Sequence, residues 1–382
     1  LAHGVRLIEA SAYIALTAAL VRYRVRGIYR TPDGRVVAPN RIVAKLSRVE
    51  VAERFFAPPP ARMLNKLVQA GDITEEEAHL AEAVPMAQDV TVEADSGGHT
   101  DHRPMLVVLP AMLALRDAMQ ARHQYEAPLR VGAAGGLGTP EAIASAFALG
   151  ADYVVTGSIN QCTPEAGTSA GVRAMLTDVD VAPAADMFEK GITVQVLKKG
   201  TRFAQRAGRL YDYYRRYPAL EDIPADERAK LEEECFRAPL DDIWRQTRAF
   251  FGEHDPRQIE KAERDPRHRM ALVFRWYLGL SSTWANTGVE DRQDDYQVWC
   301  GPAMGAFNDW VRDTPLAPPE ARHVDAIAHN LLYGAALVLR QRALAQTLGA
   351  DRPPFGRPSA VGAQDAAGRL APAQAAAHEV LP

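Results

Sequence analysis

Cysteine is scarce in this chain of 382 residues: Cys162, Cys235 and Cys300 are the whole set, and they stand far apart. That usage excludes a disulfide framework and points to a reducing compartment, the cytoplasm. Long apolar runs are also missing, and none approaches the roughly 20 residues a membrane span needs. The opening "LAHGVRLIEASAYIALTAAL" carries Arg6 and Glu9, so it reads as neither a signal peptide nor an anchor. There is no basic run, and a formal charge of −4 with a pI of about 6.2 gives no attraction to nucleic acid. H-E-x-x-H occurs nowhere, which removes the zincin helix.

What is present is enough apolar residue, 47%, for one large core or two medium ones. Short apolar runs bounded by turn residues predict strands at 5–10, 41–46, 89–94, 129–133 and 153–156. Helical stretches separate most of them, at 12–24, 49–69, 106–122 and 140–149. Strand, helix, strand in that order predicts an α/β fold with a parallel sheet and crossover helices. The helix at 140–149 is the best signalled, with Thr139 as N-cap, Pro140 at the first position and Gly150 past the end. "TPDGR" at 31–35 predicts a turn between two short extended pieces. The first residue is Leu and a strand begins by Val5, so the sequence reads as a fragment whose start is missing.

The chain divides by composition. Residues 1–204 hold all five strand signals. From about Gly208 the sequence becomes charged and helix-prone, and 205–265 reads as an inserted helical subdomain with Leu231, Phe236, Leu240, Ile243 and Trp244 on its apolar face. Residues 266–350 read as helices packing back on the main body. Residues 351–382, rich in Pro, Ala and Gly, read as a disordered tail or linker.

Three glycine-bearing strand ends carry the chemical signal. "VGAAGGLGTP" at 131–140 lets backbone N–H groups approach an anion at a helix N-terminus, although it matches neither G-x-G-x-x-G nor the P-loop. "YVVTGSIN" ends the next strand in Gly157 and Ser158. Two successive strands ending this way resemble the phosphate site of a barrel, while each turn alone is equally an ordinary strand-to-helix turn. "EADSGGHTDH" ends the third strand. His99 and His102 lie three residues apart near two aspartates, but no Cys or His pair elsewhere completes a zinc site. His99 is then either a surface or satisfied histidine or, by its strand-end position, a group on the catalytic face. Lys45 closes the second strand and either snorkels there or brings positive charge to an electron-rich ring.

Taken together, "IVAKLSR", "EADSGGHTDHRP", "VGAAGGLGTPEAIASAFALGADYVVTGSINQCTPEAGTS", "GTRFAQRAGRLYDYYRRY" and "YQVWCGPAMGAFNDW" resemble the trans-acting enoyl reductases of polyketide and polyunsaturated-fatty-acid synthases. These are FMN-dependent TIM (β/α)8-barrel enzymes of the nitronate monooxygenase (2-nitropropane dioxygenase) superfamily. The resemblance covers about residues 1–350. It implies a barrel of which this chain holds about five strands of eight, the N-terminal ones missing, with a helical insertion like that of malonyltransferases. It implies that His99 acts beside the flavin, and that Gly135, Gly136, Gly157 and Ser158 hold the FMN phosphate. Lys45, Asp95, Ser96, Gly97 and Gly98 would complete the cofactor pocket. It further implies NADPH as reductant and an enoyl thioester on an acyl carrier protein as substrate, with polyketide or fatty acid synthase modules as partners and no metal, nucleic acid or membrane. A homodimer is compatible with it. The alternative within the same superfamily is a nitronate monooxygenase using O₂ on small nitronates, and the large helical insertion argues against that.

Overall fold

Alternation, rather than uninterrupted apolarity, builds the central strands. In Arg41–Leu46 the side chains of Ile42, Ala44 and Leu46 are buried, while Val43 and Lys45 turn to the opposite side. The computed structural model describes residues 3–11, 16–180, 184–189, 192–348, 356–366 and 368. Its strands are β1 (Leu7–Ser11), β2 (Tyr29–Arg30), β3 (Val36–Val37), β4 (Arg41–Leu46), β5 (Asp89–Glu93), β6 (Gly98–Thr100), β7 (Arg130–Ala134), β8 (Tyr153–Val155), β9 (Ala184–Glu189) and β10 (Ile192–Leu197). In the first half the helices are α1 (Ala18–Val25), α2 (Val49–Phe56), α3 (Ala61–Gln69), α4 (Glu75–Leu80), α5 (Met105–His123), α6 (Pro140–Ala148) and α7 (Ala170–Thr177). The second half adds α8 (Phe203–Arg216), α9 (Ala225–Leu231), α10 (Leu240–His254), α11 (Pro256–Arg264), α12 (Pro266–Thr287), α13 (Pro302–Val311) and α14 (Val324–Leu348).

Five strands form one parallel sheet in the order β1-β4-β5-β7-β8. These are the five that the sequence predicts, and their sequential order makes every connection a crossover to the next strand. Ala10, Ala44, Val90 and Val131 stand in one register row, all buried. Helices α2 and α5 pack beside β4, β5 and β7, and α6 packs beside β8. The neighbouring row, Ser11, Lys45, Thr91, Gly132 and Tyr153, faces the other way. Tyr153 lies across Gly132, where an added Cβ would fall 2.1 Å from its ring, and its hydroxyl reaches Thr91 Oγ1 at 2.9 Å. β1 and β8 are the sheet's edges, so among the described residues the sheet is an open arc and not a closed barrel.

Other expectations are modified by the structure. The single helix expected over 49–69 is two, α2 and α3, because Pro58, Pro59 and Pro60 between them lack N–H donors and disfavour helix before each ring. The "TPDGR" turn closes a β2–β3 hairpin through Gly34 N–H to Thr31 O at 2.9 Å. Of the helix expected over 12–24, residues 12–15 lie outside the described residues and α1 begins at Ala18.

A second, antiparallel sheet in the order β6-β10-β9 leads out of the main body. Val194 and Val196 of β10 enter a separate core with Phe203, Leu210, Phe236, Ile243, Met270 and Tyr277. Helix α12 contributes Met270, Val273, Phe274 and Tyr277 to this core, so the helical unit runs past residue 265. At its base Asp295, fully buried, is ion-paired to Arg206, Arg237 and Arg292 and accepts from Tyr277 Oη at 2.7 Å.

Part of the stretch read as a tail is attached. Trp310 Nε1 donates to Pro358 O at 2.7 Å, Asn330 exchanges two bonds with the Val361 backbone, and Ala360 is buried. The expectation of a free linker fails over these residues because α13 and α14 offer it an indole N–H and a side-chain amide as hydrogen-bond partners. Residues 351–355, 367 and 369–382 lie outside the described residues.

Candidate functional site

A cleft opens at the carboxyl ends of the parallel strands, the end at which open α/β sheets take their ligands. Eight of the ten residues expected from the sequence line it: Lys45, Asp95, Ser96, Gly97, Gly135, Gly136, Gly157 and Ser158. Gly98 and His99 lie outside the lining, on β6.

The glycines divide by what surrounds them. A Cβ on Gly135 would meet Ala94 O at 2.6 Å, and one on Gly138 would meet Ala303 O at 2.4 Å, so both serve close backbone packing. Gly136 and Gly157 have nothing within 4 Å of that position and leave their backbone open to the cleft. Gly97 and Gly98 have a different reason from the one expected. The space over Gly97 is filled by the Cys300–Gly301 peptide at 2.7 Å, and that over Gly98 by the Trp299 ring at 3.3 Å. This glycine pair admits another stretch of the same chain and leaves no room there for a planar ligand.

Lys45 Nζ stands between Glu9 Oε1 at 3.4 Å and Glu93 Oε1 at 3.5 Å. Burial pushes the Glu93 carboxyl above its ordinary range, and the Lys45 charge opposes that shift. Asp95 Oδ1 receives His102 Nδ1 at 3.0 Å, Thr100 Oγ1 at 3.1 Å and Gln195 Nε2 at 3.1 Å. His102 is therefore tied to a lining residue. His99, half-buried, sets its ring edge-on to Trp299, with centroids 5.3 Å apart. Burial raises the Cys300 thiol to about 12 and the Cys162 thiol to about 11, which keeps both as thiols and away from nucleophilic roles.

Sequence reasoning assigned no role to the residues that complete the lining, Glu93, Gly301, Pro302 and Ala303 among them. Gly301 is the N-cap of α13, Pro302 its first residue, and no side chain caps it. That Gly-Pro start is the same helix-entry signal as Thr139-Pro140. The cleft thus receives the N-terminal end of α13 together with the glycine turns after β7 and β8, and such ends favour an anion. Ser96 Oγ is buried in this wall without a hydrogen-bond partner. Among the described residues no group of three or more His, Cys, Asp and Glu could hold a metal ion, and no helix is long and apolar enough to cross a membrane.

Fold and cleft define an α/β protein with a cleft at the carboxyl ends of its parallel strands. Residues 217–296 match the family described as acyl-carrier-protein S-malonyltransferase, inserted helical domain. The chain is 48% identical over 347 residues to the polyketide biosynthesis protein PksE of Bacillus subtilis, spanning 90% of this chain and 45% of that one. It is 47% identical over 353 residues to a polyunsaturated fatty acid synthase polypeptide of Thraustochytrium sp., spanning 89% and 24%. The chain therefore spans between about a quarter and just under half of these curated relatives. Among solved structures it is similar to the enoyl reductase domain of MlnA from the macrolactin cluster of Bacillus amyloliquefaciens, at 41% identity and a TM-score of 0.85, covering 90% of this chain and 78% of that one. The chain belongs to the family of that enoyl reductase domain.

Proposed function

We propose that this protein is an FMN-dependent, NADPH-using enoyl reductase of a polyketide or polyunsaturated-fatty-acid synthase. In this reading the sheet is an arc of a (β/α)8 barrel, and the substrate is an α,β-unsaturated acyl thioester presented in trans by an acyl carrier protein. The observation that carries it is the convergence on one cleft of two glycine turns with open backbone, the uncapped start of α13 and the orphaned Ser96 hydroxyl. Those donors suit the phosphate of FMN, and Ala134, Leu137, Val155 and Pro302 supply apolar walls for a ring system. Family membership supports the same reading.

Bound there, FMN would supply the hydride, drawn from NADPH, that goes to the β-carbon of the thioester. The chain's own residues then have three tasks. Gly136, Gly157 and Ser158 hold the phosphate by backbone and hydroxyl groups. Lys45, held between two carboxylates, fixes a positive charge at the cleft mouth. His99, on the strand that leaves the cleft at Gly97, donates the proton that the α-carbon requires, or its hydrogen bond to the thioester carbonyl orients the substrate.

The experiment is substitution of an open glycine. Gly136 has φ +71°, where any side chain is strained, whereas Gly157 has φ −117°. Gly157→Val is expected to purify folded by circular dichroism and without the yellow flavin spectrum. Stoichiometric FMN in Gly157→Val would refute the phosphate assignment. NADPH oxidation dependent on a crotonyl thioester, against O₂ consumption with a nitronate, separates the two reactions open to this superfamily.

A further inference from the structure

A second cavity borders the cleft. Gln161, Ser282, Asn286, Gln297 and Trp299 line it, together with Val172. The two spaces share their partition. Ser158 and Gln161 belong to one short 3₁₀ turn, Ser158 lining the cleft and Gln161 the second cavity. Gly301 and Trp299 are divided in the same way, and Gln161 Nε2 donates to Trp299 O at 2.6 Å to tie the partition together.

The chemistry of this cavity is neutral. Its lining contains no Asp, Glu, Lys or Arg. Gln297 is satisfied from within, since one orientation of its amide donates to Leu278 O at 2.9 Å and accepts from Trp299 Nε1 at 3.2 Å. The side-chain carbonyl oxygen of Gln161, the Ser282 hydroxyl and the Asn286 amide make no hydrogen bond to the described residues. Asn286 is exposed and marks the mouth, and Trp299, with His99 against its ring, stands by the partition. A nucleotide or a phosphate would leave its charge uncompensated here. A neutral chain that alternates amides with methylenes would meet acceptors, donors and an apolar floor.

We propose that this cavity is the subsite for the pantetheine arm of the thioester, which enters past Asn286 with its acyl end directed toward Trp299 and His99. The proposal rests on the enoyl-thioester reading above. Coenzyme A and a carrier protein both bear this arm, and the test distinguishes them.

The test titrates S-butyl pantetheine, a thioether that cannot be reduced, into the flavin-loaded chain by calorimetry. Kinetics are then compared for crotonyl thioesters of ethanethiol, pantetheine, coenzyme A and the carrier protein. Ser282→Leu and Asn286→Leu are each expected to weaken S-butyl pantetheine binding by roughly three- to tenfold, as loss of a hydrogen bond does. The same variants should lower kcat/KM for the pantetheine, coenzyme A and carrier thioesters alike, and leave the amide-free ethanethiol ester unchanged. No binding to the unsubstituted chain, or undiminished binding by both variants, overturns the subsite. Equal losses on the amide-free ester, or a loss confined to the carrier-bound substrate, overturn it as well. Binding that weakens as expected in a chain that reduces none of the thioesters leaves the subsite standing and overturns the enoyl reductase reading instead.

Discussion

The strands of the main core and the helical core are built from different materials. The sheet side uses alanine, glycine and β-branched residues, with Ala44, Val90, Val131 and Ala133 in the buried rows and glycines at the strand ends. The helical side uses aromatics, with Phe203, Phe236, Phe274 and Tyr277 joined by ring pairs whose centroids lie 6.0 to 6.3 Å apart, stacked and edge-on. Arginines cover its rings, among them Arg269 over Trp244 and Arg267 over Tyr214. Small residues leave space in which a ligand meets backbone, whereas large ones fill space and hold a shape. The difference separates a region with an open cleft from a region filled by its own side chains.

That contrast is open to test from its costliest point downward. Asp295→Ala should remove about 3–5 kcal/mol of stability, because Arg206 stays buried beside Arg237 and Arg292 with no carboxylate. If the regions are as distinct as their composition, flavin content per folded molecule should be unchanged, which denaturant melts paired with absorbance would read. A parallel loss of flavin would join the two regions into one unit. On the sheet side His99→Ala should retain flavin and its reduction by NADPH, but slow reoxidation by crotonyl thioester roughly 10²- to 10⁴-fold in stopped flow. His102→Ala is the comparison, and since His102 holds Asp95 at 3.0 Å it should loosen cofactor binding more than it slows reoxidation. A larger reoxidation defect at His102 would transfer the role to it.

Gly132→Ala probes how tightly the small-residue side is packed. Its Cβ would enter the Tyr153 ring at 2.1 Å, so a cost of about 1–3 kcal/mol is expected in thermal melts, and a neutral result would mean that Tyr153 moves freely. The smallest effect concerns Glu93. Its folded-state pKa is raised by burial, so its contribution to stability is full below the unfolded pKa, about 4.3, and is lost as pH rises through the folded value. Stability of the unsubstituted chain should therefore decline over that interval, and Glu93→Gln should flatten the decline in melts taken across it. An unchanged slope would assign the pH dependence to other groups.

The comparison also bears on how the helical unit is bounded. Composition suggested an end near 265, where charge gives way to "RMALVFRWYLGL". The side chains of that run complete the aromatic core, so a deletion of 205–265 would strand Met270, Val273, Phe274 and Tyr277. Apolar helices look alike in sequence whichever core they enter, and only packing separates them.

Local signals carried the sheet. Each central strand was legible because four to six apolar or alternating residues between turn formers have few other solutions. The glycine turns at 135–138 and 157–158 were legible for the same reason, since a strand end that opens a capped helix is written in adjacent residues. Eight cleft residues followed from those turns and from the family phrases around them. Four facts were not written locally. Val194 pairs with His99 across nearly a hundred residues, Trp299 packs on Gly98, the Cys300–Gly301 peptide lies on Gly97, and α13 begins in the cleft wall. A glycine pair announces that something approaches the backbone without saying what. The approach is decided by where a distant segment returns after the helical insertion, and such long-range contacts depend on the packing of both cores at once, which no short stretch of sequence encodes.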